Sequence, residues 1–222
     1  MTFIFFDLDG TLLDNRADFP SVFTAVLREQ GVETAAEQVQ TALRESWSWY
    51  EEQVRSHQGD EKAIWLAFNT QVCRALGAGE RAEGMGRAVT EAFGALDRPL
   101  LFDDVLPCLD ELQRRGHALG VITARPKAPR VLKPLGILDR FCVVVDALSA
   151  GSAKQDAETF YFALERAGIA ADQALHVGDL LERDVIPAQA AGMRAILLDR
   201  RGRYPDADCV RIAGLVELPA LL

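Results

Sequence analysis

Phe3-Ile4-Phe5-Phe6-Asp7-Leu8-Asp9-Gly10-Thr11-Leu12-Leu13 is the stretch on which the reading of the whole chain turns. Its first four residues are apolar β-formers, far too few to span a bilayer. A short apolar run closed by a turn signal predicts a strand buried on both faces. Two carboxylates, Asp7 and Asp9, follow at its C-terminal end. In an open parallel sheet that edge is where ligands bind. A carboxylate there is costly to desolvate unless a cation or a substrate uses it. If the backbone is still extended, a spacing of two sends both side chains to one side. Gly10 then supplies the positive φ that a tight turn needs.

Beyond Pro99 the texture is one of short apolar runs separated by helical patterns. The runs are His117 to Thr123, Phe141 to Val145, Ala174 to Val177 and Arg194 to Leu198. Phe160, Ala163, Leu164 and Ala167 follow the i, i+3, i+4, i+7 spacing of a helix face, and Gly168 stands where such a helix would stop. This alternation predicts an α/β fold with a doubly wound, Rossmann-like parallel sheet. Right-handed crossovers would bring every strand's C-terminus to one edge. The first strand, Thr2 to Phe6, must join that sheet, because a helical bundle alone could not bury it.

Between these parts lies a segment of a different kind. Val22, Phe23, Val26 and Leu27 form one stripe before Gly31; Val39, Leu43, Trp47, Tyr50 and Val54 form a second. Trp65, Phe68, Val72 and Leu76 form a third, and Met85, Val89 and Phe93 a fourth. Four amphipathic helices predict an inserted helical bundle whose aromatics are its core. The expected organisation is an α/β catalytic core of residues 1–16 and 97–222, with a helical cap of residues 17–96.

Composition narrows the function classes. The chain has 222 residues, is 49% hydrophobic and carries a net charge of −9. Its size accommodates a core plus a smaller lobe. The acidic balance argues against a nucleic-acid partner. No run approaches a membrane span, and there is no basic leader with a small-residue cleavage site. Cys73, Cys108, Cys142 and Cys209 form no C-x-x-C pair. The expectation is a reduced, cytoplasmic protein, a monomer or homodimer. His57, His117 and His176 lack metal-ligand spacing, and His176 reads as a packed strand residue. Gly84-x-Gly86 follows no strand, which removes a dinucleotide site. Arg200, Arg201 and Arg203 read as a solvated loop after the last strand, able to brush the sheet edge.

Parallel strands would gather Asp7 and Asp9, then Thr123 with Ala124 and Arg125, then Lys154, then Gly178-Asp179 with Glu182 and Asp184. Hard oxygens without His or Cys suit Mg²⁺, which is commonly held by one or two carboxylates and a substrate phosphate. These residues resemble the four motifs of the haloacid dehalogenase superfamily, in its phosphatase branch. Asp7 to Thr11 match Asp-x-Asp-Gly-Thr, Thr123 the strand-ending hydroxyl, and Lys154 the lone lysine. Gly178, Asp179 and Asp184 match the acidic fourth motif. The helical insertion resembles that family's α-helical cap. Ala124 stands where many relatives have Asn, Gln155 where Pro is frequent and Leu180 where Ser is common.

The resemblance implies that Asp7 is a nucleophile forming an aspartyl-phosphate and that Asp9 is the general acid and base. It implies Mg²⁺ at Asp7, Asp9, Asp179 and Asp184 with the Leu8 backbone carbonyl, Asp184 acting through water or by orienting Lys154. Phosphate would be bound by Thr123, Lys154 and the turn residues Gly10 and Thr11, with Arg125 supplying the donor that Asn usually does. The charges agree with a metal, since Lys154 and Arg125 do not balance four carboxylates and a phosphate dianion. Unit charges about 4 Å apart interact by roughly 4 kcal/mol at an effective dielectric of about 20. The substrate would be a small phosphorylated metabolite. A phosphomutase or haloacid dehalogenase of the same fold, and a phosphate-sensing protein without catalysis, remain as alternatives. Asp9 favours phosphate esters over haloacids, because a halide leaves without a proton.

Overall fold

The computed structural model describes residues 2–14, 19–56, 61–96, 100–151, 154 and 156–222. His57, the junctions at 16–17 and 97, and the side chains of Val54 and Arg55 lie outside the described residues. The chain divides into two compact units, Met1–Asp14 with Pro99–Leu222, and Asn15–Arg98.

The first unit starts with β1 (Phe3–Phe6) and β2 (Leu13–Asp14). The second unit carries α1 (Phe19–Glu29), α2 (Ala36–Ser56), α3 (Glu61–Ala75) and α4 (Ala82–Leu96). The chain returns through β3 (Leu100–Leu101), α5 (Val105–Arg114), β4 (Ala118–Thr123) and α6 (Pro129–Leu132). There follow β5 (Val143–Asp146), α7 (Ala147–Ala150), α8 (Ala157–Ala167) and β6 (Ala174–Gly178). The first unit ends with α9 (Ile186–Ala190), β7 (Arg194–Leu198) and β8 (Arg211–Ile212).

Six strands form one parallel sheet in the order β5-β4-β1-β6-β7-β8. β1 lies inside it, with Phe6 opposite Val121 on one side and Val177 on the other. Its alternation explains the continuous apolar run. Ile4 and Phe6 join a core with Leu119, Val121, Leu175 and Val177, backed by α5 and α6. Phe3 and Phe5 join the opposite core with Ile122, Val145, Phe160 and Ala163, backed by α8 and α9. A strand covered on both faces has no polar side to display. Each fully buried phenylalanine there contributes about 1.5–3 kcal/mol relative to exposure. The α/β doubly wound sheet therefore matches the sequence expectation.

Two features are additional to that expectation. β8 adds an edge strand, and β2 pairs antiparallel with β3, Leu13 opposite Leu101 and Asp14 opposite Leu100. Each of these strands has two residues, too few to show a period. The strand expected from Phe141 also begins later, since Phe141 packs into the core while Cys142 donates its amide to the Leu119 carbonyl at 2.8 Å.

In the second unit the four stripes turn inward. Phe23, Leu27, Val39, Phe68, Val72, Met85 and Val89 are fully buried. Trp47, Tyr50 and Trp65 pack against them. Trp65 stacks on Phe68 at 5.3 Å, and Phe19 meets Phe93 at 4.7 Å. These aromatics are core. Among the described residues, no helix is long and apolar enough to cross a membrane.

Candidate active site

The sheet brings four of the expected residues to one place. The Asp7 amide donates to the Val177 carbonyl at 2.8 Å, which extends the β1–β6 pairing by one residue. The Asp7 carboxylate, 6% exposed, forms an ion pair with Lys154. Lys154 Nζ also lies 2.5 Å from Asp184 Oδ1. Oxygens of Asp7, Asp179 and Asp184 all fall within 4.8 Å of one another. Asp184 comes from a π-helical turn, Leu181–Val185, that opens directly after β6. It accepts from the Leu180 amide at 2.9 Å and from His176 Nε2 at 2.9 Å.

The electrostatics of this cluster are uneven. Burial pushes the Asp7 carboxyl well above the usual range, Lys154 opposes that, and Asp184, Asp179 and Asp9 add to it. Asp179 is pushed up to about 6 by burial and then by Asp184, against Arg203 and Lys154. For Asp184 burial acts upward as well, but Lys154 and His176 hold it well below its ordinary value. Burial works to lower the Lys154 pKa, yet Asp184 and Asp7 keep it raised. Burial lowers the His176 pKa despite the Asp184 bond. Its Nδ1 has no hydrogen-bond partner among the described residues.

Three buried carboxylates around one lysine leave an excess of negative charge on hard oxygen donors. Among the described residues, no nitrogen or sulfur ligand joins the group. That donor set fits Mg²⁺. The two glycines of the site exist for closeness. A Cβ at Gly10, whose φ is +86°, would sit 2.6 Å from Asp179 Oδ2. A Cβ at Gly178 would sit 2.1 Å from Asp184 Cγ.

Two residues of the metal set expected from sequence have other partners. The Leu8 carbonyl accepts the amides of Leu12 at 3.0 Å and Leu13 at 2.7 Å. Both of its lone pairs are thereby engaged in the turn. The Asp9 carboxylate is gripped instead by Arg125. Arg125 Nε donates to Oδ1 at 3.0 Å and Oδ2 at 2.9 Å, and Nη2 donates to Oδ1 at 2.5 Å. Asp9 therefore stands outside the three-carboxylate group. Arg125 in turn is committed to Asp9, where sequence expected a phosphate donor.

The remaining expected residues sit around this centre. Thr123 ends β4, is 1% exposed, and its Oγ1 accepts the Arg125 amide at 3.1 Å. Thr11 is fully buried with no hydrogen-bond partner for its hydroxyl among the described residues. Its carbonyl accepts from Arg200 Nη2 at 3.1 Å.

Three residues outside the expected site set also take part. Arg203 Nη2 donates to Asp179 Oδ2 at 2.8 Å and to the Asp179 carbonyl at 3.3 Å. The buried Asp199 carboxylate holds the loop for it by accepting the amides of Arg203 at 2.8 Å and Tyr204 at 2.9 Å. Arg200 grips Asp104 with two bonds of 2.8 Å. The basic run after β7 was the available signal, and only its position on the sheet edge made it informative. His176 is the third, a strand residue whose polar partner lies eight positions on.

The profile described as haloacid dehalogenase-like hydrolase matches residues 1–192. The chain belongs to that family. It is 31% identical over 199 residues to a phosphoglycolate phosphatase of Xanthomonas campestris pv. campestris, covering 87% of this chain and 80% of that protein. It is 30% identical over 246 residues to a phosphoserine phosphatase of Thermus thermophilus, covering 98% of each. The crystal structure of a 2-haloacid dehalogenase from Pseudomonas syringae pv. Tomato DC3000 aligns with a TM-score of 0.65 and 27% identity, over all of this chain and 97% of that one. This haloacid dehalogenase-like protein is an enzyme, a hydrolase of phosphatase type.

Proposed function

We propose that the protein hydrolyses small phosphate monoesters with Mg²⁺ held by Asp7, Asp179 and Asp184. The observation that carries this is the three-carboxylate group paired with one buried lysine. When bound, Mg²⁺ would neutralise phosphoryl oxygens and offset the carboxylates. Lys154 adds a fixed positive charge beside Asp7 for the same oxygens. Asp7 attacks phosphorus through a carboxylate oxygen. The ester P–O bond breaks, its electron pair stays on the alkyl oxygen, and that oxygen takes a proton from Asp9. Water then attacks the aspartyl-phosphate, giving its proton to Asp9. The P–O bond to Asp7 breaks, returning the carboxylate and releasing inorganic phosphate.

Small phosphorylated acids are the substrates named for both phosphatase relatives, which supports a metabolite of that size and charge. A haloacid dehalogenase is the second reading, favoured by the dehalogenase neighbour. Asp9 and its arginine grip count against it, because a departing halide needs no proton. We assign the protein to the cytoplasm, in keeping with four unpaired cysteines. The helical unit Asn15–Arg98 would act as the cap that sets substrate preference. The test is a screen of small phosphate monoesters and haloacids, with Mg²⁺ and after chelation. Turnover of esters that stops in EDTA and returns with Mg²⁺ is expected. Turnover of haloacids alone, or esterase activity indifferent to metal removal, would overturn the proposal.

A further inference from the structure

Arg125 is built into place. Its amide is tied to Thr123 Oγ1 at 3.1 Å, and the loop it opens closes where the Ala128 amide donates to Asp146 Oδ2 at 3.3 Å. Between these anchors Lys127 adopts a φ of +53°, a left-handed conformation that a non-glycine residue takes only when its surroundings enforce it. Asp146 is fixed in turn by exchanging bonds of 2.9 Å with Ser149. A side chain launched from so constrained a loop arrives in a defined orientation. It ends on Asp9, with nitrogen donors on both carboxylate oxygens.

We infer that Arg125 is a positioning residue for the proton-transferring Asp9, not a primary phosphate ligand. This rests on the phosphatase reading above. Both carboxylate oxygens are engaged side-on, which fixes the torsions of a side chain that is itself about one-third exposed. Without that grip a short carboxylate at a turn samples several rotamers, and few of them face the departing oxygen. In the first half-reaction the P–O(alkyl) bond breaks, its electron pair remains on the alkyl oxygen, and the proton on Asp9 moves to that oxygen. The role of Arg125 is thus felt where the leaving oxygen needs a proton.

Leaving-group dependence reads this directly. An alkyl phosphate needs the proton, whereas a nitrophenolate departs as a stable anion. kcat/KM reports every step up to departure of the alcohol or phenol. The ratio of kcat/KM for an alkyl ester to that for 4-nitrophenyl phosphate is measured with Mg²⁺ for the wild type, R125A, R125K, D9N and D9N/R125A. R125A is expected to lower the ratio by about tenfold or more, within the range of a misplaced general acid. R125K, which keeps a cation but not the two-oxygen grip, falls between R125A and the wild type, and it serves if R125A does not fold. D9N lowers the ratio further, and D9N/R125A lowers it no further than D9N. An unchanged ratio with weaker binding of both esters would make Arg125 a phosphate ligand and overturn the inference. Losses that multiply in the double variant would overturn it too. A wild type that hydrolyses neither ester would instead remove the phosphatase reading, and this inference with it.

Discussion

The Gly178 backbone approaches the Asp184 carboxylate so closely that a Cβ there would sit 2.1 Å from Asp184 Cγ. Asp184 is 1% exposed and tied to Lys154, His176 and the Leu180 amide, so it has no direction in which to retreat. Gly178→Ala should lower stability by about 1–3 kcal/mol, the usual cost of overpacking. It should also weaken Mg²⁺ binding, because Asp184 moves with its turn. Chemical denaturation and a metal titration by calorimetry measure the two effects. A variant as stable as the wild type would show that the turn yields freely.

Asp179 offers a pH test in metal-free protein. Its pKa is raised from an ordinary 3.8 to about 6, by burial first and then by Asp184. A raised carboxyl pKa means that the folded state holds the proton more tightly than the unfolded state does. The ionised group therefore costs stability above about pH 6, and the cost fades as pH falls from there toward 4. In EDTA the thermal midpoint should rise as the buffer goes from pH 7 to pH 5.5. Asp179→Asn should flatten that rise and raise midpoint stability at pH 7 by about 1–3 kcal/mol. A midpoint falling over the same window in both proteins would count against it.

Asp104 makes the opposite case. Burial acts to raise its pKa, but the Arg200 hydrogen bonds and the Leu215 amide, at 2.8 Å, keep it below its ordinary 3.8. A depressed pKa gives stability that is present above the unfolded value and lost as pH falls through the folded one. Asp104→Asn should cost about 1–3 kcal/mol at pH 7, since a charged hydrogen-bond partner is removed. The variant's deficit should shrink below pH 4. Urea unfolding at pH 7 and pH 3.5 compares them. An equal deficit at both would locate the effect in packing.

Thiol chemistry should separate the cysteines. Burial pushes Cys73 and Cys108 up to about 12, whereas Cys142 is exposed. The thiolate is the reactive form. With a disulfide reagent at pH 8, Cys142 should react first, and Cys73 and Cys108 only after denaturation. Peptide mapping after timed labelling identifies the sites. Early modification of Cys73 would indicate an opening of its helix.

The long elements and the carboxylates of the site were readable because each is a local pattern. β1 announces itself through four apolar residues and an Asp-x-Asp turn, and the second unit through its 3.6-residue stripes. The partners of the site residues were not readable. Arg125 reaches Asp9, Arg203 reaches Asp179 and Arg200 reaches Asp104 from distant loops. No local rule fixes which of several carboxylates at one edge a given arginine selects. Leu8 shows the same limit from the other side. Nothing local announces that the turn at Gly10 folds the Leu12 and Leu13 amides onto its carbonyl.

The pairing of Asp14 with Leu100 places the two ends of the helical insertion side by side on one small ladder. Closing so long an excursion costs little, because loop-closure entropy grows only with the logarithm of length. The order of folding is a different matter. β1, made before the strands it pairs with, has its partners at residues 118–121 and 174–177. It must wait for most of the chain before its apolar face is covered. The helices of the second unit, whose contacts run largely between sequence neighbours, can close long before that. During synthesis, then, the early-folding bundle follows a bare hydrophobic strand that cannot yet pair. That interval is when this enzyme is most exposed to misassembly, and it ends only with the arrival of β6.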